Sequence, residues 1–229
     1  MAVSESSERT YALDPDVRLM LQVRDGSAAA FEQLVARYQD RLLLVLEHLV
    51  GSREQAEDLA QEVFLRVFRA RRRYRPTAKF ATWLFTIANN IALNAKRDRS
   101  RRREVSCFGA GSGSLAAVAP LAAASANSAL MPTRQLAKAE VREIVRLAVE
   151  QLGRRQRLAV LLNKFEGMSY DDIAEVMGLS SKAVKSLVCR ARSRLREVLQ
   201  PYLLDGTLPE PNVEKPSGQS PGETRCGET

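Results

Sequence analysis

Apolar residues Phe31, Leu34, Val35, Tyr38, Leu42, Val45, Leu46 and Leu49 recur at intervals of three and four, the spacing that gathers side chains on one face of an α-helix. Gly51 closes this helix, and Ser52 with Gln55 forms a capping box that opens the next. In that second helix Ala56, Leu59, Ala60, Val63 and Val67, joined by Phe64 or Phe68, turn inward, whereas Glu57, Asp58, Gln61 and Glu62 lie opposite. Pro76 interrupts the pattern after the basic run RARRRYRP. A third helix begins near Phe80, with Trp83, Leu84, Ile87, Ala88, Ile91 and Ala95 as its apolar stripe. The two-residue alternation of strands is missing here, so residues 10–103 are expected to form a helical bundle.

From Val105 to Thr133 the chain carries no charge and is mostly Ala, Ser, Gly and Pro with scattered Leu, Val and Met. That composition predicts a flexible linker over 104–133, which fully extended reaches on the order of 90 Å. A second helical block follows over 134–203, with helices in QLAKAEVREIVRLAVEQL and RRQRLAVLLNKF. Residues 1–9 are expected to be a flexible start and 204–229, rich in Pro, Gly and charge, a disordered tail. The fold class is all-α: two small helical domains joined by a linker.

Within the second block, SYDDIAEVMGLSSKAVKSLVCRARSRL reads as a helix-turn-helix. Ser169 caps a helix whose third residue is Asp172; Ile173, Ala174 and Met177 point to one side, Ala174 being small where a second helix crosses. Gly178 takes the left-handed turn, Leu179 fills the corner, and Ser180 starts the next helix, with Val184 and Leu187 or Val188 facing the core. The remaining faces of that helix carry Ser181, Lys182, Lys185, Ser186 and Arg190. Short polar groups near a helix start followed by longer cations suit base edges and phosphates of a duplex.

Charge supports a polyanionic partner: the 229 residues carry a formal net charge of +8, with a pI near 9.7. No apolar run reaches the length of a membrane span and MAVSESSERT lacks a signal-peptide pattern, so a cytoplasmic protein is expected. The cysteines, Cys107, Cys189 and Cys226, are far apart and joined by a single histidine, His48, which fits neither a disulfide framework nor a zinc site. No phosphate-cradling loop, cofactor motif or catalytic set of nucleophile, acid and base is visible, so no cofactor and no enzyme activity are expected.

With these motifs in view, the chain resembles a bacterial RNA polymerase sigma factor of the extracytoplasmic-function (ECF) group, which keeps two domains of the larger sigma factors. The resemblance implies that 10–103 is the domain that docks on polymerase and that recognises and melts the minus-10 element. It implies likewise that 134–203 reads the duplex minus-35 element through Ser181, Lys182, Lys185, Ser186 and Arg190. EDLAQEVFLRVFRA resembles the segment that docks on the clamp helices of the largest polymerase subunit, which assigns Asp58, Gln61, Glu62, Phe64 and Leu65 to that contact. FATWLFTIANNIALNAKR resembles the segment that opens and holds the minus-10 element.

That segment interleaves aromatics with cations, as single-stranded DNA requires: cations follow the backbone while rings stack on unpaired bases. The candidates are Lys79, Phe80, Trp83, Asn89, Asn90, Asn94 and Arg97, with Trp83 and Phe85 divided between packing and DNA contact. Either Asn89 or Asn90 would hold a flipped base, since an amide offers donors and an acceptor to a base edge. RYRPTAKFAT, which would complete the base pocket, lacks the glycine common in the family loop. Implied partners are core RNA polymerase, at its clamp helices and flap, promoter DNA in duplex and single-stranded form, and an anti-sigma factor. Two rival functions are a dimeric helix-turn-helix regulator acting without polymerase, and a DNA enzyme such as a recombinase, which would need a catalytic constellation.

Overall fold

The computed structural model describes residue 11 and residues 14–107 and 132–205, all main elements being helical. The flexible start, the middle of the linker and the tail expected from the sequence lie outside the described residues. Eight α-helices are described: α1 (Pro15–Arg24), α2 (Ala28–Val50), α3 (Arg53–Ala70), α4 (Phe80–Cys107), α5 (Pro132–Glu150), α6 (Arg154–Lys164), α7 (Tyr170–Met177) and α8 (Ser181–Asp205). A short 3₁₀ turn, Arg71–Arg73, follows α3. Among the described residues no helix is long and apolar enough to cross a membrane.

The first half is built around α2. Its cap, Ser27, accepts the Ala30 amide at 3.2 Å, and its buried stripe is Ala30, Leu34, Tyr38, Leu42, Val45 and Leu46. Gly51, at φ 76°, ends it in the left-handed conformation that costs glycine least. Ser52 then caps α3 by accepting the Gln55 amide at 3.4 Å, one half of the capping box expected from the sequence. Helix α1 tethers to α2 through Asp16, which accepts a 2.6 Å hydrogen bond from the Tyr38 hydroxyl and pairs with Arg37. Burial, then the bond to Asp16, raises the Tyr38 phenol well above its ordinary value.

Helix α4 places Phe80, Leu84, Phe85, Ala88, Ile91 and Ala92 in the core. It runs to Cys107 and α5 starts at Pro132, so helix extends into both ends of the segment expected to be linker. A proline at the first helical position gives up only an amide without an intrahelical partner. Helix α8 likewise continues through Pro201 to Asp205.

In the second half, α6 buries Leu158, Ala159, Val160, Leu161 and Leu162. Arg157 ties the ends of two helices together. Its guanidinium donates to the carbonyls of Val149 at 3.1 Å, Glu150 at 2.6 Å and Leu152 at 3.2 Å, and across the molecule to His48 at 2.6 Å. Cations so placed satisfy carbonyls that a helix leaves open at its C-terminus.

The two halves pack directly on one another. Helix α7 lies against α4, α6 against α2, and one cluster of buried side chains runs through both.

Candidate nucleic-acid interface

The helix-turn-helix forms as the sequence requires. Ser169 Oγ accepts the Asp172 amide at 3.1 Å while Asp172 Oδ2 accepts the Ser169 amide at 3.3 Å, closing the capping box of α7. Gly178 sits at φ 63°, and its amide reaches back to Glu175 at 3.4 Å. Ser180 Oγ accepts the Ala183 amide at 3.3 Å and starts α8. Ile173, Ala174, Val184 and Val188 form the buried seam, joined by Val176, whereas Met177 is only half-buried.

That seam turns the other face of α8 outward. Lys182, Lys185, Ser186 and Arg190 are exposed, and Ser181 is half-buried where its hydroxyl donates to Asp171. Cys189, a free thiol, shares this surface. The exposed set combines the cations Lys182 and Lys185 in the first turns with the Ser186 hydroxyl and Arg190 further on, an arrangement able to meet base edges and flanking phosphates.

A second stripe runs along α4. Trp83 is half-buried and Asn90, Asn94 and Arg97 are exposed; their spacing of seven, four and three places them on one helix face. Trp83 is steadied by Tyr74, with ring centroids 4.9 Å apart, and by Phe80 at 6.1 Å. The Tyr74 hydroxyl is buried without a hydrogen-bond partner among the described residues, and burial raises its pKa well above the ordinary range.

Two expected members of this stripe are not at the surface. Phe80, expected on the DNA side, is 0% exposed and packs its ring 5.2 Å from Tyr38, because the first turn of α4 points into the α2 core. Asn89 is buried, and its amide donates to the Val176 carbonyl at 3.2 Å. Phe85, whose role the sequence left open, is also core. Lys79 is exposed but paired with Asp172 at 2.9 Å.

Helix α3 carries the third surface. Asp58 and Gln61 are exposed, Glu62 is half-buried and pairs with Arg66 at 2.7 Å, and Leu65 is 49% exposed. Phe64 is half-buried against Phe31, with centroids 6.5 Å apart. Phe68, expected from its spacing only as an inward residue, emerges on the same face as Leu65. Its ring lies 5.1 Å from Phe31 and is covered by the Arg71 guanidinium at 3.8 Å. The signal was present as Phe68 and Arg71 one turn apart. Acidic groups beside exposed apolar side chains suit a basic partner helix, with charge setting the register.

Known proteins resemble the chain in both halves. The model for Sigma-70 region 2 matches residues 34–102, and that for Sigma-70 region 4 matches residues 142–195. The RNA polymerase sigma-H factor of Pseudomonas aeruginosa is 33% identical over 83% of this chain and 96% of its own length. CarQ, an RNA polymerase sigma factor of Myxococcus xanthus, is 36% identical over 79% of this chain and 95% of its own. The ECF RNA polymerase sigma-E factor of Escherichia coli is 30% identical, over 82% and 96%. Among solved structures, CnrH in complex with the cytosolic domain of CnrY aligns with TM-score 0.55 and 26% identity, over 82% of this chain and 98% of that one. RpoE of Bartonella quintana in complex with the anti-sigma factor NepR aligns with TM-score 0.59 and 26% identity, over 76% and 98%. With both regions matched in order, and a helix-turn-helix folded where region 4 is expected, the chain belongs to the sigma-70 family of RNA polymerase sigma factors, in its ECF group.

Proposed function

We propose that the chain binds core RNA polymerase and directs it to promoters, reading duplex DNA upstream with α8 and holding unpaired bases downstream with α4. The observation that carries this reading is the presence, in one chain, of two DNA-suited surfaces on separate halves. One is a polar and cationic recognition helix; the other is an aromatic, amide and arginine stripe that duplex binding alone does not require.

In this mechanism Ser181, Lys182, Lys185, Ser186 and Arg190 engage the minus-35 duplex. Asn90 holds the flipped minus-10 base: it is exposed in line with Trp83 and Asn94, whereas the Asn89 amide is committed to Val176. Trp83 offers a ring to the neighbouring base, with Asn94 and Arg97 following the strand. Stacking stabilises an unpaired base by about 1–3 kcal/mol, so capture itself shifts the duplex toward its open form and no nucleotide hydrolysis enters. Asp58, Gln61, Glu62 and Leu65, extended by Phe68, dock on the basic clamp helices of polymerase. Phe64 serves them from below, through its packing on Phe31. An anti-sigma factor as regulator is supported by the similar sigma factor RpoE, solved in complex with the anti-sigma factor NepR, and the working compartment is the cytoplasm, where polymerase and promoter DNA reside.

The test is promoter opening by holoenzyme carrying Asn90→Ala. A good amide-to-base contact is worth about 1–3 kcal/mol, so transcription from a fully paired template should fall by about tenfold. A template already mismatched over the minus-10 element should recover most of the loss. Equal activity of variant and parent on paired DNA would remove Asn90 from this role.

A further inference from the structure

The loop that leads into α4 holds a polar group that its packing does not use. Between the 3₁₀ turn and α4 the chain runs from Tyr74 to Lys79, with Tyr74 and Ala78 buried and Arg75, Thr77 and Lys79 exposed. The loop therefore shows its cations to solvent and turns its aromatic ring inward. Where the family loop commonly has glycine, this one has Pro76, and it is tight. The Thr77 amide donates to the Arg75 carbonyl at 2.8 Å, a three-residue turn centred on Pro76. The pyrrolidine ring fixes φ close to what such a turn needs, so the loop keeps one shape before any ligand arrives.

Tyr74 is 4% exposed, and its ring lies 4.9 Å from Trp83, the half-buried indole on the outer stripe of α4. Its hydroxyl has no hydrogen-bond partner among the described residues. Taking a hydroxyl out of water without giving it a partner costs free energy, and phenylalanine would fill the same space without that cost. Packing thus accounts for the ring and not for the oxygen. Burial, then the charge of Asp14, holds the phenol far above its ordinary range, so the group keeps its proton and can donate.

We propose that the Tyr74–Lys79 loop receives the flipped minus-10 base and that the Tyr74 hydroxyl donates to a carbonyl oxygen of that base, so that Tyr74 sets which base is accepted. The inference rests on the proposed role of α4 and adds to Asn90 a second, buried reader. Trp83, packed on Tyr74, turns aside as the base enters, and Arg75 lies exposed at the rim where the strand passes. An amide at the surface offers donors and an acceptor and suits several base edges. A single donor in a dry, rigid pocket is more selective, because a base that leaves it unpaired is rejected. Thymine, cytosine and guanine each carry a carbonyl oxygen; adenine has none and is the base this pocket disfavours.

The test uses holoenzyme, the full chain with purified core polymerase, and a randomised pool of single-stranded oligonucleotides sequenced after retention. The parent should enrich carbonyl-bearing bases over adenine at the position that Asn90→Ala disturbs. Tyr74→Phe should lower that preference by about tenfold while preferences at other positions persist. Its urea denaturation should be unchanged or moved to higher urea, since the lost hydroxyl had no partner in the fold. A Tyr74→Phe protein that loses stability and keeps the parent's preference would overturn the assignment and mark the hydroxyl as structural. Enrichment of adenine by the parent at that position would contradict a carbonyl partner. If Asn90→Ala and Tyr74→Phe both leave the retained pool unchanged, the DNA role of α4 itself fails; a change with Asn90→Ala alone removes only Tyr74.

Discussion

At the scale of single residues, exposure decides which of the plausible DNA contacts can serve. Phe80, Trp83, Asn89 and Asn90 all belong to residue types that suit single-stranded DNA, yet only Trp83 and Asn90 present themselves on the outer stripe of α4. Phe80 is a core residue, so Phe80→Ala should lower the unfolding free energy by about 3–5 kcal/mol, read by urea denaturation of the full chain. A loss well under 1 kcal/mol would return the ring to the DNA side. Composition could not separate these cases, since a ring that stacks on a base and a ring that packs on Tyr38 look alike in sequence. The proposed preference for Asn90 over Asn89 rests on one carbonyl, that of Val176, contributed by a helix far along the chain.

At the scale of elements, the helices were legible because each carries its own stop and start. Gly51 and Ser52 end α2 and begin α3, and Ser169, Gly178 and Ser180 frame the helix-turn-helix, all as their local chemistry predicts. Gly178 is the position to test. At φ 63° its missing Cβ meets no neighbour within 4 Å, so the cost of Gly178→Ala is one of backbone conformation and not of space. It should destabilise the protein by about 1–2 kcal/mol in urea denaturation, and weaken duplex binding more than single-stranded binding by tilting α8. A neutral effect on stability would mean that the turn tolerates a side chain. Helix α1 had no comparable signal. Its Val17, Met20 and Val23 are too few to mark a period strongly, and it is held by the tertiary contact of Asp16 with Tyr38 and Arg37. The helical extensions to Cys107 and from Pro132 escaped a reading by composition, because Val105, Ser106, Cys107 and Thr133 are compatible with both helix and linker.

At the scale of the whole molecule, the sequence displayed two domains and hid their contact. Each half has its own hydrophobic period, while the groups that join them, Lys79 with Asp172, Arg41 with Glu166 and Arg157 with His48, are single pairs separated by long stretches of chain. The Lys79 pair also sets a pH window. Burial raises the Asp172 carboxyl, but hydrogen bonds from Lys79 and Ser169 outweigh it and leave the pKa below the usual carboxylate value. Lys79 is shifted above its ordinary value, chiefly by its bond to Asp172. The contribution of Asp172 is therefore present above the ordinary carboxylate value, about pH 4, and lost as pH falls through its lowered pKa. That of Lys79 is present below about pH 10 and lost as pH rises through its raised pKa. Glu175, raised by burial and then by the charge of Asp172, acts in the opposite sense: it favours the packed state at low pH and offsets part of the acid-side loss. Small-angle scattering should find the chain most compact between those limits and expanded beyond either; a radius of gyration constant from pH 3 to 7 would rule out the acid limit.

The central claim is that this chain gives core polymerase its promoter specificity, docking through the acidic and apolar face of α3. Run-off transcription by purified bacterial core enzyme, with and without the protein, on promoter fragments from its own source tests that claim most directly. The account predicts discrete new transcripts with the parent protein, and their loss when Asp58 and Glu62 are both changed to Ala while helicity and single-stranded DNA binding persist. Transcripts that never appear, together with tight binding of the protein alone to palindromic duplexes as a dimer, would contradict it and mark the chain as a regulator acting without polymerase.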